Sequence, residues 1–67
     1  MYEKVLQYFI DRFNNFGYGS YVTFSEICFY TKLKSTELNP ILDDLIMEGK
    51  IIRKTGEHTD LYILKVI

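Results

Sequence analysis

The chain has 67 residues, of which 48% are hydrophobic and 25% are charged, and its formal net charge is −1. These proportions are typical of a globular protein and argue against the disordered and fibrous classes. The length limits the chain to a single domain, 1–67, which buries only about 60% of the surface that the unfolded chain exposes. A net charge near zero does not by itself indicate a nucleic-acid-binding protein, so the distribution of charge has to decide.

The sequence contains one cysteine, Cys28, and one histidine, His58. A single cysteine cannot form an intramolecular disulfide or a zinc cluster, so we expect a reducing, cytoplasmic location and neither a metal nor another cofactor. The first residues have the pattern of neither a signal peptide nor a membrane span, so we also expect no membrane partner. Neither Cys28 nor His58 has the companions that catalysis needs, and we predict no catalytic residues and no enzymatic activity.

A first amphipathic helix is predicted over Tyr2–Phe16, where apolar residues recur at spacings of three and four. Gly17 and Gly19 end this helix, and Tyr18 between them is expected to cover the edge of the core. Because apolar residues lie on more than one face of the helix, we expect the domain to form a homodimer through it. The residues concerned are Tyr2, Val5, Leu6, Tyr8, Phe9, Ile10 and Phe13.

The middle of the chain predicts a short strand and two further helices. The segment Thr23-Phe24-Ser25-Glu26 has the capping-box pattern, so a strand at 21–23 should lead into a second helix over 24–31. A third helix should begin at a cap formed by Ser35 or Thr36 and end at Gly49.

A proline lies inside this third helix. Pro40 has no backbone N–H, and with a cap at Ser35 or Thr36 its ring crowds the carbonyl of Thr36. A break before the proline, with Asn39 capping a restarted helix, relieves both problems. We therefore expect the third helix to be bent at this point.

The C-terminal part of the chain predicts a β-hairpin. Two β-rich runs, 50–54 and 61–67, enclose the polar loop 55–60, which contains Gly56 and His58. The predicted order is helix, short strand, helix, helix and hairpin, which is an α+β arrangement.

At several positions the chain resembles the winged helix-turn-helix family of bacterial, archaeal and viral regulators. Ile27 and Leu33 match core positions of the family's first helix and turn, and Cys28 stands where the family usually has alanine. The spacing of the family's recognition helix and its exit into the wing is matched by Leu38, Leu42, Leu45, Gly49 and Ile51. The resemblance covers nearly the whole chain, and it implies a winged helix with three helices, a short strand before the second helix and a C-terminal hairpin as the wing. It also implies that Cys28 is buried against the third helix.

Two features depart from the family pattern. Lys32 stands where the family usually has a turn glycine, and it is slightly strained if its φ is positive. The third helix, which lies in the major groove in the family, carries four carboxylates and no basic residue before Lys50. A carboxylate about 4 Å from a phosphate costs about 1 kcal/mol even in water, so ordinary major-groove insertion is disfavoured.

Two functions remain open at this point. The resemblance implies a small DNA-binding protein or accessory transcription regulator, of the kind found in prokaryotes, phages and mobile elements, that contacts the phosphates of double- or single-stranded DNA. The candidate DNA-binding residues lie in the turn, the third helix and the wing: Lys32, Lys34, Thr36, Asn39, Arg53, Lys54 and His58. The alternative is a protein-interaction module, either an inhibitor or a complex subunit, that presents an acidic helix to a basic protein surface. Its candidate residues are Glu37, Asp43, Asp44 and Met47.

Both sets of residues also have simpler explanations. The basic residues are equally well explained as solvated lysines on a surface of mixed charge. A group of aromatic rings either completes the small core or is exposed for stacking bases or forming a dimer. This group comprises Tyr2, Tyr8, Phe13, Tyr18, Phe29, Tyr30 and Tyr62.

Overall fold

The computed structural model describes residues 1–66, so the last residue of the second predicted β-run, Ile67, lies outside the described part. Within residues 1–66 the fold is α+β, with three α-helices and one three-stranded antiparallel sheet. The elements in chain order are α1 (Tyr2–Phe16), a 3₁₀ turn (Gly17–Gly19), β1 (Val22–Thr23), α2 (Phe24–Thr31), α3 (Ser35–Met47), β2 (Ile51–Thr55) and β3 (Asp60–Leu64). The predictions of three helices, a short strand before α2 and a C-terminal hairpin are confirmed.

The sheet has the strand order β1-β3-β2, so the hairpin strand β3 lies in the middle. β2 and β3 pair from Ile51 opposite Leu64 to Thr55 opposite Asp60. β1 pairs with the edge of β3 that faces away from β2, with Val22 opposite Tyr62. This pairing joins the N-terminal half of the chain to the hairpin and leaves β2 as an edge strand.

The core lies between the helices and one face of the sheet. It contains side chains from every α-helix and every strand, with Leu33 from the α2–α3 turn: Val5, Phe9, Val22, Ile27, Leu33, Leu38, Leu42, Leu45, Ile51 and Tyr62. Burying one aliphatic side chain of this size contributes about 1.5–3 kcal/mol, so the core accounts for most of the favourable free energy of folding. The leucines of α3 recur at spacings of four and three, which is why one face of that helix is buried and the opposite face is exposed.

The start of α2 is the predicted capping box. The Thr23 hydroxyl oxygen accepts a hydrogen bond from the backbone N–H of Glu26 at 3.2 Å, and the Glu26 carboxylate in turn accepts one from the Thr23 backbone N–H. These bonds satisfy N–H groups that have no partner inside the helix.

The start of α3 differs from the prediction of a Ser35 or Thr36 cap. Lys34 occupies the cap position and Ser35 is already the first helical residue, so neither predicted side chain is the cap. The Glu37 carboxylate instead accepts a hydrogen bond from the Lys34 backbone N–H at 3.2 Å. A carboxylate at this position also interacts favourably with the positive end of the helix dipole, so the helix can begin one residue earlier than a hydroxyl cap would place it.

The predicted break at Pro40 is also wrong, because α3 continues through the proline as one helix. Leu38, Leu42 and Leu45 are buried on both sides of this position, so the core holds the two halves of the helix in register. Thr36, whose carbonyl loses its partner, is exposed, and water can satisfy that oxygen.

The end of α3 is the predicted one. Gly49 has a φ of 72°, in the left-handed region. Its N–H donates to the Ile46 carbonyl at 3.0 Å, and the N–H of Lys50 donates to the Leu45 carbonyl at 2.9 Å. These two bonds form a Schellman motif, which turns the chain sharply from α3 into β2.

Candidate nucleic-acid interface

The connection between α2 and α3 exposes two lysines on either side of a buried leucine. Lys32 and Lys34 are exposed, while Leu33 between them lies in the core. Lys32 has a φ of 64° and a ψ of 22°, which confirms the expectation of a strained left-handed residue where a glycine would fit. Its backbone N–H donates to the Cys28 carbonyl at 2.9 Å, and its ammonium group lies 5.7 Å from the centre of the Phe29 ring. The buried leucine thus fixes the turn that presents both lysines.

The two predicted basic residues of the hairpin are exposed on opposite faces of the sheet. Arg53 pairs with the buried Tyr62, whereas Lys54 pairs with Leu61 on the other face. The Lys54 ammonium lies 5.4 Å from the ring centre of Tyr21. The strand therefore brings Arg53 and Lys54 to the same end of the sheet but does not bring their side chains together.

His58 is exposed in the loop between β2 and β3. The loop is closed by a hydrogen bond from the Gly56 N–H to the Thr59 carbonyl at 3.0 Å. A Cβ atom at Gly56 would lie 2.3 Å from that carbonyl oxygen, so this position requires glycine. Glu57 precedes His58 in this loop, so the tip carries one carboxylate beside a histidine that is counted as neutral at pH 7.

The exposed face of α3 is acidic along its whole length. The predicted candidates on this helix are all exposed: Thr36, Glu37, Asn39, Asp43, Asp44 and Met47. Met47 is the most exposed large apolar residue of the described chain, at 85%. Just beyond the helix, the Glu48 carboxylate accepts a hydrogen bond from the hydroxyl of Tyr2. This bond, with burial and the nearby negative charges, raises the pKa of Tyr2 to about 12.

The apolar residues of α1 are used largely within the domain. Val5 and Phe9 are buried, and α1 contacts α2, α3 and β3. Several further residues of α1 are partly buried against the core: Tyr2, Leu6 and Tyr8. Packing on several sides therefore explains the broad apolar surface, and a homodimer through this helix stays a prediction.

The aromatic residues divide between core and surface. Tyr62 is buried, but Phe29 and Tyr30 are 68% and 59% exposed. Tyr18 was expected to cover the edge of the core and does not, because it is 73% exposed. Its ring instead packs edge-to-face on Phe13, with 5.3 Å between the ring centres.

Cys28 is also less buried than expected. It packs against the core but is partly exposed, so it is not enclosed by α3. The buried side of α2 runs through Ile27 and Thr31, and Cys28 lies at the margin of that side. The Thr31 hydroxyl is buried and donates to the Ile27 carbonyl at 2.6 Å, which satisfies the polar group within its own helix.

One group of side chains on α1 was not recognised from the sequence. The Arg12 guanidinium lies 4.7 Å from the centre of the Phe16 ring, and its Nε is buried with no hydrogen-bond partner. The hydroxyl of Tyr8 is likewise buried without a partner, and burial raises the pKa of Tyr8. Because Tyr8, Arg12 and Phe16 are four residues apart, their helical spacing is the signal that identifies a common face.

Residues 1–66 offer neither a metal site nor a membrane-spanning helix. In the part of the chain that the structure describes, no group of three or more His, Cys, Asp or Glu side chains is placed to hold a metal ion. None of the helices in residues 1–66 has the length and apolar character needed to span a bilayer. No family model, curated protein or solved structure matches this chain.

Proposed function

We propose that this chain is a small winged-helix DNA-binding protein or accessory regulator that contacts the phosphate backbone through its α2–α3 turn and its wing, the loop 56–59 with the adjoining part of β2. The helix order, the antiparallel sheet and the C-terminal hairpin support this fold assignment. The phosphate-directed mode follows from the distribution of charge around α3 and not from the fold alone.

The observation that carries the proposal is that exposed cations flank α3 on both sides and are absent from it. Lys32 and Lys34 precede the helix, and Lys50, Arg53 and Lys54 follow it. The 13 residues of α3 place its two ends, next to Lys34 and near Lys50, about 20 Å apart along the helix axis, at 1.5 Å per residue. Cations at the two ends can neutralise separate phosphates, while carboxylates between them keep the helix itself away from the bases.

This arrangement predicts binding with little sequence preference and strong salt dependence. Each phosphate contact contributes about 0.9 to the slope of log affinity against log salt concentration. If all five flanking cations contact phosphates, the slope is about −4.5. Because α3 offers only Ser35, Thr36 and Asn39 as neutral polar groups for base edges, base readout contributes little.

The test is fluorescence anisotropy with a labelled duplex over a salt series of about 50–200 mM. We expect Lys34→Gln and Arg53→Gln each to weaken binding and to make the slope shallower by about 0.9. Lys4→Gln removes the same charge from an exposed position on α1 and is the matched control. No duplex binding by the folded wild-type chain at the lowest salt, or equal effects of all three substitutions, would reject the proposal.

A second candidate function has one observation in its favour. The exposed Met47 lies on the same side of α3 as the carboxylates of Asp43 and Asp44, which is the composition of a protein-binding face that meets a basic, partly apolar partner. On this hypothesis the chain is an inhibitor or a subunit of a complex, and the flanking lysines are solvated.

The double substitution Asp43→Lys and Asp44→Lys separates the two functions, because it changes the charge of the exposed face by four without touching the buried leucines. If the chain binds DNA, duplex affinity rises, most strongly at low salt where screening is least. If α3 binds a basic protein, wild type binds a lysine-rich peptide through this face and the double variant does not. The paired variant Asp43→Asn and Asp44→Asn is the control for changes in shape.

A further inference from the structure

Two adjacent aromatic rings on α2 are exposed without a covering element in the described part of the chain. Phe29 and Tyr30 are 68% and 59% exposed, although α2 has only eight residues and a buried face of its own. Isolated exposed apolar residues are ordinary, but two neighbouring rings form a continuous aromatic surface. We call Phe29, Tyr30 and the side chains that support them the aromatic face.

The aromatic face is held in place by rings beneath it. Tyr30 stacks on Tyr8, with 5.9 Å between ring centres and 21° between the ring planes. Phe29 packs edge-to-face on Tyr30, with 5.1 Å between the ring centres. Tyr8 in turn packs edge-to-face on the buried Phe9, with 5.8 Å between the ring centres. This series of contacts connects the exposed rings to the core, so they lose little side-chain freedom when a ligand binds.

A cation adjoins the aromatic face on the side of the α2–α3 turn. The Lys32 ammonium lies 5.7 Å from the ring centre of Phe29. The nearest carboxylate on the same helix face, Glu26, is held by the Thr23 amide and hydroxyl and so is drawn towards the start of α2. Exposed rings beside a lysine match a ligand that has flat, π-rich groups and a negative charge at each repeat.

We propose that the aromatic face is a stacking site for the bases of single-stranded nucleic acid, with Lys32 contacting the adjoining phosphate. A duplex does not fit this surface, because its bases are stacked on one another and offer no free faces. A purely apolar partner does not explain the lysine at the edge of the rings. This surface is separate from the wing but shares Lys32 with the proposed duplex contacts, so the inference is tested through the rings of Phe29 and Tyr30 and not through Lys32.

The test uses the absence of tryptophan from the sequence. Phe29→Trp introduces a single tryptophan at the aromatic face and retains an aromatic ring there, and its emission is separated from that of the six tyrosines by selective excitation. Met47→Trp introduces the same fluorophore on the exposed side of α3 and is the matched control. Titration with oligothymidine of about 12 nucleotides, within the site sizes of single-strand binding domains, is expected to quench the first variant strongly and the second weakly.

Substitutions in the aromatic face measure how much the rings contribute to the affinity for oligothymidine. Phe29→Ala is expected to weaken oligothymidine binding about 5- to 150-fold, the range for the loss of one stacked base, while Phe29→Tyr retains binding. Duplex binding and its dependence on Arg53 are expected to be unchanged in both variants, which separates failure of this inference from failure of the proposed wing contact. Circular dichroism checks that the variants are folded.

Two results would overturn the inference. One is equal quenching at positions 29 and 47, or none at position 29, at low salt. The other is a sedimentation measurement in which the wild-type chain is a dimer, Phe29→Ala makes it a monomer, and oligothymidine affinity does not change. The second result would assign the aromatic face to contact between two copies of this chain.

Discussion

Replacement of Lys32 by glycine should relieve backbone strain, but the loss of a side-chain contact and the freedom of glycine in the unfolded chain offset that gain, so the net change in stability should be small. Lys32 has a φ of 64° and is the only residue other than glycine with positive φ among those described. This conformation costs an ordinary L-residue about 1–2 kcal/mol. Glycine avoids that cost but loses about 0.4–1 kcal/mol through the greater freedom of the unfolded chain. The loss of the ammonium contact with Phe29 costs about 0.5–1 kcal/mol more.

The comparison that isolates the backbone effect is Lys32→Gly against Lys32→Ala, because both variants lack the ammonium group. We expect the glycine variant to be more stable than the alanine variant by about 1 kcal/mol, and its melting temperature to be higher by about 4–8 °C for a domain of this size. Thermal and urea denaturation followed by circular dichroism measure both quantities. Lys34→Gly and Lys34→Ala form the control pair, because Lys34 has a φ of −75°, and here the alanine variant should be the more stable. If glycine gives no advantage over alanine at position 32, the reasoning about backbone strain is refuted.

Three further predictions concern the helices. Pro40→Ala should stabilise the protein by about 1–3 kcal/mol in urea denaturation, because it restores the hydrogen bond to the Thr36 carbonyl. If stability does not increase, α3 is already relaxed around the proline. Tyr8→Phe should raise stability by about 1 kcal/mol, since it removes a buried hydroxyl without a partner, and a loss of stability would show that this hydroxyl is hydrogen-bonded. The pKa of Tyr2 is raised from 10.0 to about 12 by its bond to Glu48, so the folded state holds this proton more tightly than the unfolded state. Its contribution to stability is therefore complete below pH 10 and is lost as the pH rises towards 12, and Tyr2→Phe should reduce the fall in stability over this range.

Local signals in the sequence predicted the start of α2 and the end of α3 because the decisive interactions are short in range. The capping box of Thr23 and Glu26, and the glycine after α3, act within a few residues of the boundary that they define. The break at Pro40 was predicted from the same kind of local reasoning and failed. Long-range burial of the leucines on either side opposes the break, and the strength of that burial depends on tertiary contacts.

The candidate interface could be predicted in part. The exposure of the acidic face of α3 follows from helical periodicity, because the buried face is known from the leucines. The placement of Arg53 and Lys54 on opposite faces follows from strand alternation once the hairpin register is fixed. The stack of Tyr8 and Tyr30 joins two helices whose packing the sequence does not specify, so it required the structure.

The most direct test of the central claim is a map of the duplex contact on the protein. In ¹H–¹⁵N NMR spectra recorded at low salt, addition of a short duplex should shift amide signals at 32–34 and 50–60, which flank α3, and leave the exposed positions 39, 43 and 47 of the helix nearly unchanged. Raising the salt concentration should reverse the shifts, since the contacts are with phosphates. Shifts concentrated along the exposed face of α3 would contradict the account, and so would the absence of shifts at the lowest salt.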